Sequence, residues 1–237
     1  MNTKNETMGS IPGNAVTELN NGHSSVRPVV FAALALWLGL VFYLGYQGAF
    51  AARTDSPPLP IFLGVAIPLM LFFGAYFAWG AFRAFILAAD LRLVSAMQGW
   101  RWAGLGFLSL YAHGVLPGLF AFPAGLGDMA VGVTAPWMVL RLIRQPSFAA
   151  SRRYKIWNIL GIVDFVVAVS MGTLCSGFIH GLPLNVTTNA MAQLPLLLIP
   201  VYMVPFFIML HATALFQARQ LTRSGKFVPE VNGIPEA

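Results

Sequence analysis

Charge is what this sequence has least of. Asp, Glu, Lys and Arg together make up 9% of the 237 residues, against 57% apolar residues, and the mean hydropathy is +0.72. A soluble domain carries about a quarter of its residues as charges. Polar surface on this scale cannot cover a water-soluble globule, so lipid must solvate most of the chain. A single bundle, with no separate soluble domain, is expected. Cysteine is nearly absent as well. Cys175 stands alone, which excludes an intrachain disulfide, and its apolar setting suits packing better than chemistry.

Several motifs are missing too. There is no Walker loop, zinc spacing, dinucleotide fingerprint or Ser-His-Asp elbow. These absences lean the reading away from an enzyme, and no metal or cofactor is expected. Residues 1–27 are polar and lack an apolar core near their start, so no cleavable signal peptide is expected. They read as a disordered tail ahead of a membrane domain over 28–218, with a second tail at 219–237. The net charge of +6 does not point to nucleic acid. The basic residues lie between apolar runs, as membrane topology requires, rather than in one patch.

A spanning helix takes roughly 20 apolar residues. Six such runs are present, at about 29–52, 59–82, 102–120, 122–143, 156–178 and 194–216. Leu87, Leu91 and Val94 recur at helical spacing, which predicts an amphipathic segment over 84–100 at the cytoplasmic surface. Trp100 and Trp102 flank Arg101 and fit an interfacial belt. Pro200 and Pro205 should kink the sixth span. The predicted fold is thus all-α, an integral membrane bundle of six helices with a short cytoplasmic amphipathic segment. On that partition 13 of the 14 Lys and Arg residues fall on one side and Arg53 alone on the other. The asymmetry predicts both termini in the cytoplasm and suits a bacterial inner membrane.

Two acids lie deep inside apolar sequence. Asp128 follows a proline-glycine turn, six residues past Phe122, and Asp164 lies eight residues past Ile156. At 1.5 Å per residue these are roughly 9 Å and 12 Å into the bilayer. A charge at the bilayer centre costs about 2.5–3.5 kcal/mol on insertion scales, so each acid needs a partner, water or a proton. His113, about 10 Å below the same boundary on the adjoining helix, is the expected partner of Asp128. Asn158, Gly161, Asp164, Ala168, Gly172 and Ser176 share one face of the fifth span, which should pack inward. Asn158 joins the candidate polar groups on that ground, and His211 and His180 are secondary candidates.

The string FAFPAGLGDMAVGVTAP, followed by WNILGIVDFVVAVSMG, resembles a group of uncharacterised bacterial multi-pass membrane proteins. In these a PAGxGD element is followed by LGxxD in the next helix. The resemblance puts Asp128 and Asp164 at the group's acidic positions and implies no chemistry. Gly125-Leu126-Gly127-Asp128 is also similar to the GxGD motif of intramembrane aspartyl proteases such as presenilins and prepilin peptidases. That resemblance implies two carboxylates sharing a proton around a water. In those families the first Asp precedes the motif. Here Asp164 follows it, Asp90 is placed at the other membrane face, and no PAL tripeptide occurs.

The leading expectation is a bundle that conducts or carries a small solute or protons, or serves as an accessory membrane subunit. Asp and His chains form proton relays. Six spans are few for a self-contained transporter, which leaves room for a homo-oligomer or a partner subunit in the bilayer. One alternative is a haem-binding redox protein with two His ligands on different helices. The other is the GxGD-type protease.

Overall fold

The structure is a computed structural model that describes residues 13–51, 56–178 and 185–223, with side chains in the first helix from Val26 onward. The described residues are helical and contain no strand. The helices are α1 (Gly13–Tyr46), α2 (Leu59–Ala78), α3 (Gly80–Leu87), α4 (Leu91–Met97), α5 (Leu105–Ala112), α6 (Gly118–Arg144), α7 (Arg152–Leu174) and α8 (Val204–Arg223). A 3₁₀ helix, Gln98–Gly104, joins α4 to α5, and a π-helical turn, Ile199–Met203, leads into α8.

Five segments are long and apolar enough to cross a membrane: Val26–Tyr46, Leu59–Ala78, Gly118–Arg144, Arg152–Leu174 and Ile199–Arg223. Their outward faces carry exposed Leu36, Phe42, Leu63, Leu71, Leu140 and Val166, as lipid contact requires. The sixth traverse is broken. It runs through α4, the 3₁₀ helix and α5, antiparallel to α6. Val94 packs in one cluster with Met138 and Leu142, a Cβ on Gly104 would lie against Asp128 and Gly125, and Phe107 packs on Phe120.

This traverse starts earlier than the sequence suggested. The amphipathic segment is present as α3, with Phe82 and Ile86 buried and Arg83 exposed. The second half of the expected segment is α4, and it belongs inside the bundle. Asp90 sets the boundary. Its carboxylate caps α4 by accepting from the Arg92 N–H at 2.8 Å. The Arg92 guanidinium, hydrogen-bonded to the same carboxylate, holds Asp90 below the usual carboxylate range.

Prolines mark the other irregularities. Pro205 has no N–H to return to Val201, and the turn ahead of it widens, with the Val204 N–H reaching Ile199 O. The sixth span therefore begins at Ile199 and extends to Arg223, beyond the expected 194–216. Pro123 and Pro136 lie inside α6, so the turn ahead of it is confined to residues before Gly118.

Two apolar clusters close the bundle. One holds Val94, Val131, Met138, Leu142, Tyr154 and Trp157. Beside it lie the ends of α6, α7 and α8 with Arg144, Arg152 and Arg223, and we call this the basic end. The other cluster holds Phe107, Leu116, Phe120, Cys175 and Met191, at what we call the neutral end. Between them lies a layer of buried polar side chains.

Candidate functional site

The centre of that layer is Arg101. Its residue surface is only 3% exposed, so the interfacial position expected for it is corrected: it lies inside the bundle. The cause is the local helix geometry. A 3₁₀ helix has three residues per turn, so residues three apart line up. Ser95, Gln98, Arg101, Gly104 and Phe107 are all buried at that spacing, while Trp100 and Trp102 turn outward. The two tryptophans fit an aromatic belt from the sequence, yet the arginine between them points the other way.

The guanidinium fork is used on three sides. Nε donates to Asp128 Oδ1 at 2.7 Å. Nη2 donates to Asp164 Oδ2 in a second ion pair. Nη1 donates to Gly161 O at 3.3 Å and to His211 Nε2 at 3.0 Å. The group also lies 3.9 Å over the Phe165 ring. One side chain from the third traverse thus ties α6, α7 and α8 together. A lysine, with its single point of charge, could not hold these partners at once.

The same bonds set the state of His211. Arginine only donates, so Nε2 must accept and the ring is neutral, with its proton on Nδ1. That N–H donates to Asn158 Oδ1 at 2.9 Å, and Asn158 Nδ2 donates to Tyr154 O at 2.9 Å. Ser95 Oγ and Tyr154 Oη share a hydrogen bond of 2.9 Å. A continuous polar chain therefore fills the space from Arg101 towards the basic end.

Glycines make the layer possible. A Cβ on Gly127 would land on the Asp164 carboxylate, and one on Gly161 would land in the His211 ring. Gly127 of PAGxGD and Gly161 of LGxxD thus have a packing reason: they clear room for groups that meet Arg101. Gly172 is different. A Cβ there would have ordinary clearance from Phe120, the nearest atoms being 3.5 Å and 3.7 Å away.

A cleft opens between the helices on the neutral side of the layer. Asp128 lines it. Phe62, Phe107, Phe120 and Phe165 are among its walls, with Thr173, Ser176, Thr188 and Asn189 as polar lining. The two carboxylates retain some surface, 15% for Asp128 and 13% for Asp164. No hydrogen bond from the described residues reaches Asp128 Oδ2.

Asp128, Asp164, Asn158 and His211 are therefore brought together. His113 is not. It is exposed at the end of α5, and its Nδ1 bonds to Ser109 O at 2.8 Å on its own helix. The expected Asp128–His113 pair is replaced by Asp128–Arg101. His180 lies outside the described residues.

The geometry bears on the two alternatives. His211 has both ring nitrogens engaged, so it offers no lone pair as a haem ligand in this arrangement. The two aspartates each bond a separate nitrogen of the guanidinium, Nε and Nη2, which stands between them; a protease dyad needs its carboxylates to share a proton around a water. Among the described residues no three of His, Cys, Asp and Glu converge as a metal site would require.

A family model described as a domain of unknown function (DUF8737) matches residues 58–219. That span covers α2 to α8 nearly complete, and with it every side chain bonded to Arg101. No curated protein and no solved structure matches the chain.

Proposed function

The chain belongs to this family of unknown function, and from its geometry we propose a carrier or channel-like protein that moves protons or a small cationic solute. Arg101, Asp128 and Asp164 form its central charge site. The observation behind this reading is the charge balance of the buried layer. One guanidinium meets two carboxylates, and the hydrogen bonds leave His211 neutral. With both acids ionised the layer carries one negative charge too many. Buried charge is stable only when balanced. A proton or cation arriving through the cleft supplies that balance.

Access is one-sided. The cleft reaches Asp128 from the neutral end, while His211, Asn158 and Tyr154 fill the space towards the basic end. Such a site is loaded from one side and needs a rearrangement to open to the other. The 3₁₀ helix around Arg101 is a natural place for it, since a shift to α-helical winding would turn the guanidinium away from its acids. Among the described residues ten Lys and Arg residues fall on the basic side, with Arg101 between the two ends. That bias supports a cytoplasmic basic end and an outward cleft.

The reading is tested in vesicles. Purified protein is reconstituted with a pH-sensitive dye inside, and a potassium diffusion potential, negative inside, is imposed. The wild type should acidify the lumen faster than empty vesicles, and Asp128→Asn should fall to the empty-vesicle rate. Equal rates for wild type, variant and empty vesicles would reject proton movement through this site.

A further inference from the structure

We propose that the cleft binds a monovalent organic cation, a protonated amine on an apolar body, with its ammonium against the open oxygen of Asp128. The inference rests on the reading of the Arg101–Asp128–Asp164 layer given above and adds the class of ligand.

Three observations carry it. The first is the charge excess of the layer, which is relieved by one positive charge and worsened by a negative one. The second is the hydrogen-bonding character of the cleft. Thr173 Oγ1 donates to Val169 O at 2.8 Å, Ser176 Oγ to Thr173 O at 2.8 Å and Thr188 Oγ1 to Gly172 O at 2.6 Å. Each hydroxyl has one hydrogen, and each is committed to a main-chain carbonyl. These side chains therefore offer a ligand only acceptor lone pairs, as does Asp128. Four of the five N–H groups of Arg101 already point at Asp128, Asp164, Gly161 and His211. Of the polar side chains in the lining only the Asn189 amide keeps N–H groups to donate, so the cleft favours a ligand that brings its own donors.

The third observation is the wall. Phe107 and Phe120 meet edge to face at 5.5 Å and Phe62 shares the lining, while Phe165 already carries the Arg101 guanidinium over its ring. Aromatic faces attract cations and cover apolar bodies. A hard metal cation is poorly served, since Ca²⁺ takes six to eight oxygen ligands and Mg²⁺ keeps a near-ideal octahedron.

The test compares three ligands with one body: 4-phenylbutylamine, 4-phenylbutanol and 4-phenylbutyrate. Binding to the full chain in detergent micelles is measured by titration calorimetry at pH 7, with empty micelles as the blank. The amine should bind, the alcohol should bind about tenfold or more weakly, and the carboxylate should not bind. Asp128→Asn should weaken the amine by a similar factor. Gly172→Leu, which projects into the cleft where there is room, should abolish amine binding with little change in the unfolding midpoint. An amine no tighter than the alcohol would overturn the proposal and leave an apolar crevice for a lipid chain. So would amine binding unaffected by Asp128→Asn. If Asp128→Asn does not assemble, the comparison of amine with alcohol on the wild type still decides. Proton flux that depends on Asp128 without amine binding would overturn the ligand class alone. Amine binding without flux would uphold the site and overturn the carrier reading.

Discussion

Replacing Arg101 with Gln removes the one positive charge in the polar layer and leaves its partners in place. Two charge-assisted hydrogen bonds are lost, to Asp128 and Asp164, each contributing about 1.5–3 kcal/mol. The neutral bonds to Gly161 O and His211 are lost or weakened as well. Breaking a buried ion pair by removing one partner destabilises by about 3–5 kcal/mol, because the abandoned charge stays buried. Arg101→Gln should therefore lower stability by about 3–5 kcal/mol. Arg101→Lys should lie between, keeping the charge and losing the fork. Adding Asp164→Asn to Arg101→Gln should recover part of the loss, since it removes an orphaned anion. The double-mutant cycle should show a coupling of at least 1 kcal/mol. SDS-driven unfolding in mixed micelles, followed by tryptophan fluorescence, gives the four values. An Arg101→Gln protein within about 0.5 kcal/mol of wild type would refute the argument, because that is what an arginine at the membrane surface would give.

Gly161→Ala should destabilise by about 1–3 kcal/mol, as its Cβ enters the His211 ring. The effect should shrink in a His211→Ala background, and equal losses in both backgrounds would show that the ring is not the obstacle. His113→Ala should stay within about 0.5 kcal/mol of wild type and keep the proton flux, since the ring bonds only its own helix. A loss of flux matching that of Asp128→Asn would restore His113 to the site. In a Cys175→Ser background, Thr187→Cys should react with an impermeant thiol reagent on intact cells and Arg153→Cys only after lysis. The reverse pattern would invert the orientation.

Much of the bundle is legible in the sequence because lipid imposes a simple rule: about 20 apolar residues per crossing. Five of the traverses follow it, with ends that move by a few residues where caps and prolines decide. The inward face of the fifth span is legible as well, because small and polar residues at helical spacing shun lipid. The third traverse is less so. Its first half reads as amphipathic because it is: Val94 and Ser95 are buried, while Leu93 is 62% exposed. The same pattern suits a helix lying on the membrane and a helix packed within it.

The site was half visible for a related reason. Asp128 and Asp164 stand out because a carboxylate in apolar sequence is costly. Arg101 does not, because a long basic side chain near a span end normally reaches the surface. Two clues were available. Two deep acids required a base, and the run Ser95, Gln98, Arg101, Gly104 places polar or small residues every third position. Pairing Asp128 with His113 matched depth along the helices but not direction around them, and a single residue's depth does not fix the face it occupies.

The broken third traverse also bears on how the protein is made. Leu91–Ala112 lacks an unbroken apolar helix, and its central arginine carries an insertion cost of about 2.5–3.5 kcal/mol if it enters the bilayer alone. The groups that hold that side chain are the carboxylates of Asp128 on α6 and Asp164 on α7, which neutralise its charge, and the neutral His211 on α8, which accepts a hydrogen bond. All three follow Arg101 in the chain. While the ribosome is still making α6, the arginine has at most one acid to meet, and its full set of partners exists only after α8 has been translated. Biogenesis of this bundle cannot then be a series of helices leaving the translocon one by one. The third segment must linger at the pore or the membrane surface until its later neighbours arrive, and a nascent chain cut before α8 should leave it there.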